Sequence, residues 1–216
     1  MELSEYLKKT VKPLKTNHFG FEIKSIENHL MQTYCELVNA FSINSFIINK
    51  DVQTIIKLTA KWFKQGKQNL LLIGEYGTGK TKILETVSLL INFYENKVTK
   101  VINTNEIIKT SLSTEDCDIN KFNNFKNFPY LFIDDLGTEP VDVKYFGTVL
   151  NPVIEILLER YRQNKTTVIS TNLTLNEINQ KYGQRIWERF IEKYDTIIFD
   201  YQSFRTKYQK HPAFEN

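Results

Sequence analysis

The eight residues Gly74–Thr81, GEYGTGKT, constrain this chain more than any other stretch of its 216 residues. They satisfy the pattern G-x-x-x-x-G-K-[ST] at every fixed position. That pattern works where a buried strand feeds a tight loop and a helix leads away from it. Asn69–Ile73, NLLLI, is a short apolar run suited to such a strand, and an amphipathic stretch runs from Lys80 to about Tyr94. Gly74, Gly77 and Gly79 let the loop wrap with successive backbone N–H groups turned inward. With Glu75, Tyr76 and Thr78 between them they form a cradle for phosphate oxygens. A helix beginning near Lys80 adds its positive end at the same point. Lys80 is expected to reach the β- and γ-phosphates of ATP, and the Thr81 hydroxyl to ligate Mg2+.

A second motif is YLFIDDLG, Tyr130–Gly137. Four apolar residues ending in paired acids describe a buried strand delivering carboxylates to the edge of a sheet, where open parallel sheets bind ligands. Asp134 is expected to hold the magnesium and Asp135 to polarise an attacking water. Taken alone, the pair could equally cap a strand or helix; it gains weight in a chain already committed to a phosphate loop. TTVISTN, Thr166–Asn172, reads as a strand lying between these two motifs. Its Asn172 is placed to hydrogen-bond the water or the γ-phosphate, although a turn asparagine fits the local residues as well. In YGQRIWERF, Arg185 and Arg189 share one helix face. Spacing alone reads that face as solvated and salt-bridged, with Glu188 and Glu192 nearby.

The remaining chain supplies an α/β frame. Helices are expected over Glu22–Phe41, about Lys50–Phe63, a short stretch from Asn105, and Phe146–Tyr161, where Pro152 should start or kink the helix. The second helix takes Val52, Ile55, Ile56, Leu58 and Trp62 as its apolar positions. Further strands are expected at Lys100–Asn103 and Thr196–Phe199. Strands alternating with helices imply a parallel sheet with helices on both faces. Residues 111–129 are polar and asparagine-rich, a surface loop with room for a helix of its own. Cys35 and Cys117 form no close pair, and His18, His29 and His211 are scattered, so no metal site is assigned to them. The start, MELSEYLKKT, is charged where a signal peptide is apolar, and no apolar run is long enough to span a bilayer. A cytoplasmic protein without a membrane contact is expected. The net charge of +3 permits an acidic partner without indicating one.

In order and spacing, NLLLIGEYGTGKT, YLFIDDLG, ERYRQNKTTVISTNL, YGQRIWERF and SFRTKY at 203–208 resemble the DnaC/IstB group of AAA+ ATPases. That group comprises bacterial helicase loaders and the ATPase helpers of certain transposases. The resemblance covers about residues 65–208. It implies a P-loop NTPase of AAA+ type, with a parallel sheet flanked by helices and no C-terminal helical lid; the short helical N-terminal segment is read from the apolar spacing before that span. The expected division is 1–64 as a helical, partner-binding segment, 65–208 as the ATPase domain and 209–216 as a tail. The resemblance makes Asp134 and Asp135 the Walker B pair and Asn172 the sensor 1 residue. It makes Arg189 the arginine finger that completes a neighbour's site, with Arg185 as the second arginine of that box, and Arg205 the sensor 2 arginine. Asp135 stands where a glutamate is common in AAA+ enzymes. The implied activity is slow ATP hydrolysis by a protein that forms homo-oligomers when ATP-bound and works in DNA replication as a DnaC-like helicase loader. The IstB-like alternative is a helper of a transposase. The implied partner is therefore a replicative helicase or a transposase.

Two further ligand readings stand beside these. Lys121, Phe122, Phe125, Lys126 and Phe128 interleave cations and aromatics as a platform for single-stranded DNA would, although a loop anchored by buried phenylalanines explains them more simply. Phe46–Asn49, before the P-loop, is where a purine pocket is expected. Readings outside the group are a P-loop small-molecule kinase, for which no arginine-rich lid segment is present, and a non-hydrolysing adaptor gated by nucleotide.

Overall fold

The computed structural model describes residues 23–41, 48–65, 69–140, 143–145 and 148–204. Two helices come first, α1 (Ile23–Phe41) and α2 (Lys50–Gln65). Strand β1 (Asn69–Gly74) and helix α3 (Lys80–Glu95) bracket the P-loop. Then follow β2 (Lys100–Asn103), α4 (Thr104–Leu112), α5 (Asp116–Asn127) and β3 (Tyr130–Leu136). A small antiparallel pair, β4 (Val143–Tyr145) and β5 (Thr148–Leu150), precedes α6 (Pro152–Arg162). The described chain ends with β6 (Thr166–Thr171), α7 (Leu175–Tyr182), α8 (Gln184–Lys193), β7 (Tyr194–Phe199) and a short segment to Phe204.

The five main strands form one sheet in the order β2-β3-β6-β1-β7, and every pairing is parallel. β6 therefore lies between β1 and β3, as the placement of TTVISTN requires. A parallel sheet is covered on both faces, so its strands read as continuous apolar runs. Successive side chains then serve opposite layers. Leu70, Leu72, Phe132, Val168 and Ile197 share one core with Leu30 of α1, Ile56 of α2 and Leu84 of α3. Leu71, Ile73, Leu131, Ile133 and Ile169 share the other with Ile107, Phe125, Ile156, Ile178 and Phe190 of α4 to α8. Each such fully buried aliphatic side chain contributes about 1.5–3 kcal/mol relative to exposure. The N-terminal helices are stitched to the sheet by polar contacts as well. Trp62 Nε1 on α2 donates to the Asn69 carbonyl at 3.2 Å, where β1 begins.

Two expectations are corrected. The helix expected from Phe146 starts at Pro152: Thr148–Leu150 is a strand, and Asn151 caps the helix by accepting from Ile154 N–H at 3.0 Å, with proline in its first turn. Phe146 itself lies outside the described residues. Leu58, expected in the core of α2, is 42% exposed, because the buried stripe of that helix runs through Val52, Ile55, Ile56, Thr59, Ala60, Trp62 and Phe63. The polar segment 111–129 does carry a helix, α5, and its Phe125 is only 1% exposed. Phe122 and Phe128 pack against the same core, and Lys126 bonds Glu155 at 2.6 Å over the Phe122 ring. Those phenylalanines anchor the segment, so Phe125 offers no stacking face. Helix α7 escaped the apolar pattern, though Thr174 and Glu177 give it a reciprocal capping box that is legible as T-x-x-E.

Candidate functional site

The site lies at the C-terminal ends of β1, β3 and β6, where open parallel sheets present their ligands. Gly74 ends β1 in close contact with β7: a Cβ there would lie 2.7 Å from Phe199 Cβ. The loop then turns through Gly77 and Gly79, with φ of 77° and 93°. These are left-handed conformations that side chains resist. Thr78, fully buried, ties the loop to itself by donating to the Glu75 carbonyl at 2.8 Å, while Tyr76 stands 64% exposed.

Helix α3 differs from α4, α6 and α7 at its start. Those three each have a side chain capping the first turn and an acid within it. α3 has neither, a trait it shares with α8, and Lys80 and Lys82 sit at its beginning directly after the glycine loop. A helix that leaves its first N–H groups uncapped, and adds cations at its positive end, breaks a local rule that an anion restores. Lys80 is 5% exposed and folds back over the loop, donating to the carbonyls of Gly74 at 2.8 Å and Glu75 at 2.7 Å and to Asn172 Oδ1 at 2.8 Å. The same ammonium is thus held at the start of α3 and against Asn172.

The acids converge on the same point. Thr81 Oγ1 lies 3.1 Å from Asp134 Oδ1 and 3.0 Å from Oδ2. Hydroxyl and carboxylate oxygens at this spacing form a donor set suited to a hard divalent cation. No cluster of three or more His, Cys, Asp or Glu exists among the described residues, so phosphate and water would complete the coordination, as magnesium prefers. The β3 ladder breaks its register between Ile133 and Leu136, and Asp135 adopts φ 55°. This bulge turns both aspartates toward the strand ends. Asn172 Nδ2 approaches Asp135 Oδ1 at 3.5 Å. Lys80, Thr81, Asp134, Asp135 and Asn172 are therefore brought together.

Several residues of this neighbourhood carried no separate signal. Ser170, fully buried, donates to Asp134 Oδ1 and accepts from Asp135 N–H at 3.0 Å. It stands two residues before Asn172, a strand period that could have singled it out. Tyr201 donates to the Thr78 carbonyl at 2.8 Å, and Phe204 N–H to the Gly77 carbonyl at 2.9 Å. Tyr34 of α1 brings its hydroxyl to the space beside Gly79 and is pushed up to about 12 by burial. These contacts join residues far apart in sequence, so no local pattern announces them.

Arg189 lies elsewhere. Its guanidinium stacks on Tyr161, 4.6 Å from the ring centre, and its Nη1 donates to the Arg185 carbonyl at 2.7 Å. It lines a pocket with Asn69, Thr167 and Tyr194, which begin or nearly begin β1, β6 and β7. Lys80 is at the other ends of those strands, roughly 15 Å away at strand rise. Arg185, one helical turn before Arg189, is exposed. Arg205 lies outside the described residues, as do Phe46 and Ile47. Of the remaining purine candidates, Ile48 packs on the core and Asn49 caps α2 by accepting from Val52 N–H at 2.9 Å. Among the described residues no helical lid follows β7, and no helix is long and apolar enough to cross a membrane.

A sequence model of the IstB-like ATP binding proteins matches residues 38–211. Among solved structures, the fold is similar to that of the DnaC helicase loader, with TM-score 0.57 and 20% identity over 71% of this chain and 92% of that one. It is similar to DnaI, with TM-score 0.56 and 21% identity over 74% and 89% of the two chains. AMPPCP-bound DnaA from Aquifex aeolicus gives TM-score 0.52 and 14% identity over 71% of this chain and 48% of that one. No curated protein sequence matches the chain. The fold is that of the AAA+ P-loop proteins.

Proposed function

The chain belongs to the family of IstB-like ATP-binding proteins, and from that premise we propose that it hydrolyses ATP and acts in DNA replication as a DnaC-like helicase loader. The observation that carries the chemistry is the convergence of Lys80, Thr81, Asp134, Asp135 and Asn172 below a helix start with no cap and no acid. Backbone N–H groups of Gly74–Thr81 and the Lys80 ammonium receive the phosphates. In doing so the ammonium exchanges loop carbonyls for phosphate oxygens. Thr81 and Asp134 would hold magnesium, which when bound neutralises charge on the β- and γ-phosphates. Asp135 accepts a proton from the attacking water, and Asn172 orients it.

Phosphoryl transfer is driven by positioning and charge neutralisation, so a site with one lysine gains most from an added arginine. Arg189 faces away from its own P-loop, which supports its completing a second copy's site, with Arg185 beside it. Arg205 acts in cis as the sensor 2 residue. Homo-oligomers then form with ATP, and a monomer turns over slowly. Residues 65–208 are the ATPase unit, and the segment 1–64 binds the replicative helicase. Single-stranded DNA is a further ligand of the assembly. A second reading, an ATPase helper of a transposase, is favoured by the family being that of the IstB-like proteins.

The test is phosphate release from ATP at varied protein concentration, with and without single-stranded DNA. Wild type is compared with Lys80→Ala and Arg189→Ala. Specific activity should rise with concentration and vanish in both variants. Activity indifferent to concentration and to Arg189 removes the trans-acting mechanism. Helicase loading and transposition then separate by which protein, a replicative helicase or a transposase, co-sediments with the ATP-bound form.

A further inference from the structure

Just past the paired aspartates, residues 137–139 are fastened to the end of α7 by three contacts and to each other by a fourth. Glu139 is 2% exposed. One of its carboxylate oxygens accepts from the Tyr182 hydroxyl, itself buried, and the other from Gly137 N–H at 2.9 Å. Lys181 reaches across from the same helix end and donates to the carbonyls of Gly137 and, at 2.7 Å, Glu139. Burial, and the Glu139 carboxylate beside it, push the Tyr182 phenol far above its ordinary range, so it stays a donor. The loop this clasp grips is already constrained: Asp135 has φ 55° and Gly137 φ 107°, and a Cβ on Gly137 would meet Leu173 at 2.6 Å.

The clasp occupies a particular place in the chain. On one side, Gly137 is two residues beyond Asp135. On the other, Tyr182 is followed by Gly183, in a conformation with φ 82° and open space around it, and then by α8 with Arg185 and Arg189. A buried carboxylate with a tyrosine and a lysine on adjacent residues is costly to build for stability alone, because each polar group must be matched. Its contacts run from the strained acid loop of the chain's own site to the end of α7, which Gly183 alone separates from the arginine helix.

We propose that Glu139, Tyr182 and Lys181 are positioning residues that couple the chain's own acid loop to α8, so that a filled site sets the arginine arm offered to a neighbour. The proposal rests on the trans-acting reading above. Energetic coupling between sites travels through such an element when it has two arrangements that both sites bias. Here the element is the loop 135–139 with α7's end, pivoting at Gly183. Nucleotide-dependent movement of Asp135 shifts Gly137 and Glu139, and through Tyr182 and Lys181 the first turn of α8.

Mixed assemblies test this at fixed total protein, with phosphate release as the readout. Asp135→Asn fills its site with ATP without hydrolysing it, so its arm is set, and Arg189→Ala has a working site but no arm; their mixture is the reference and should be active. Tyr182→Phe keeps the ring in the core and removes only the hydroxyl. Mixed with Asp135→Asn it should regain activity, because its own site is whole. Mixed with Arg189→Ala it should stay about tenfold below the reference, because its arm is misplaced. Affinity for a fluorescent ATP analogue should match wild type, and thermal denaturation reports that the variant is folded. If Tyr182→Phe does not fold, Lys181→Met severs the clasp from its other side and enters the same mixtures. Equal rescue by both partners overturns the clasp, and so does rescue by neither, since the defect then lies in the variant's own site. A silent reference overturns the trans-acting reading, and the clasp with it.

Discussion

Arg160 is the largest fully buried side chain described, and replacing it with methionine isolates what a buried cation does for this fold. Its guanidinium donates from Nη1 to the carbonyls of Phe125 at 2.9 Å and Phe128 at 2.8 Å, from Nη2 to the Thr166 carbonyl, and from Nε to Thr167 Oγ1 at 2.9 Å. It ties α6 to the end of α5 and the start of β6. Burial pushes it down to about 10, still well above neutral pH, so the group is charged. Four hydrogen bonds from a charged donor, at about 1.5–3 kcal/mol each, set a gross loss of roughly 6–12 kcal/mol. Several kcal/mol are returned because a guanidinium no longer has to be desolvated, and methionine refills part of the volume. Losing a buried, fully bonded charge nets about 3–5 kcal/mol. For a domain of this size that lowers Tm by roughly 6–20 °C. Urea unfolding followed by far-ultraviolet circular dichroism measures the change, with an unchanged m-value showing that the transition is still two-state. ATP affinity of the folded variant at low temperature should equal wild type, since Arg160 faces none of the loop residues. A loss below about 1 kcal/mol would refute the hydrogen-bond account. Lost ATP binding at unchanged stability would move Arg160 into the site.

Three further outcomes follow from contacts already described. Ser170→Ala removes the hydroxyl that orients Asp134 and leaves the Asp135 N–H without its acceptor; magnesium-dependent ATP hydrolysis should fall about 10–100-fold while magnesium-free nucleotide binding is kept, as titration calorimetry and phosphate release would show. Gly74→Ala places a Cβ 2.7 Å from Phe199 Cβ and 2.9 Å from its carbonyl; the expected cost is about 1–3 kcal/mol, read as faster amide exchange along β7 before any other strand. His29 pairs with the Tyr94 hydroxyl, and burial lowers its imidazole below its ordinary value. The unfolded chain therefore binds the proton first, so stability is full above about pH 6.5 and declines as pH falls below it. His29→Leu should flatten that decline in denaturation midpoints measured from pH 7.5 to 5.5, and an equally steep decline would exclude His29 as its source.

Sequence alone determined the frame of the site. Lys80, Thr81 and the glycines around them are local devices, readable because a loop, a cation and a helix start follow one another within eight residues. Asp134, Asp135 and Asn172 were readable because each ends an apolar strand, and parallel strands deliver their ends to one edge. The burial of β1, β3 and β6 on both faces was legible in their unbroken apolar runs. Other features had no local signature. The period that suggested a helix from Phe146 is shared by apolar residues of a strand, and only the cap at Asn151 decided where the helix starts. Ser170 reads as one more residue of a β strand until the register of β3 against β6 sets its hydroxyl beside Asp134. Glu139 reads as a loop acid until Tyr182 and Lys181, forty residues on, close over it. Arg189 reads as half of a salt-bridged face until packing lays it on Tyr161, at the far end of the sheet from its own P-loop. Periodicity and motifs specify which residues meet within one element or at one sheet edge. Contacts between distant segments depend on how layers pack, and that information resides in the whole set of buried side chains rather than in any one stretch.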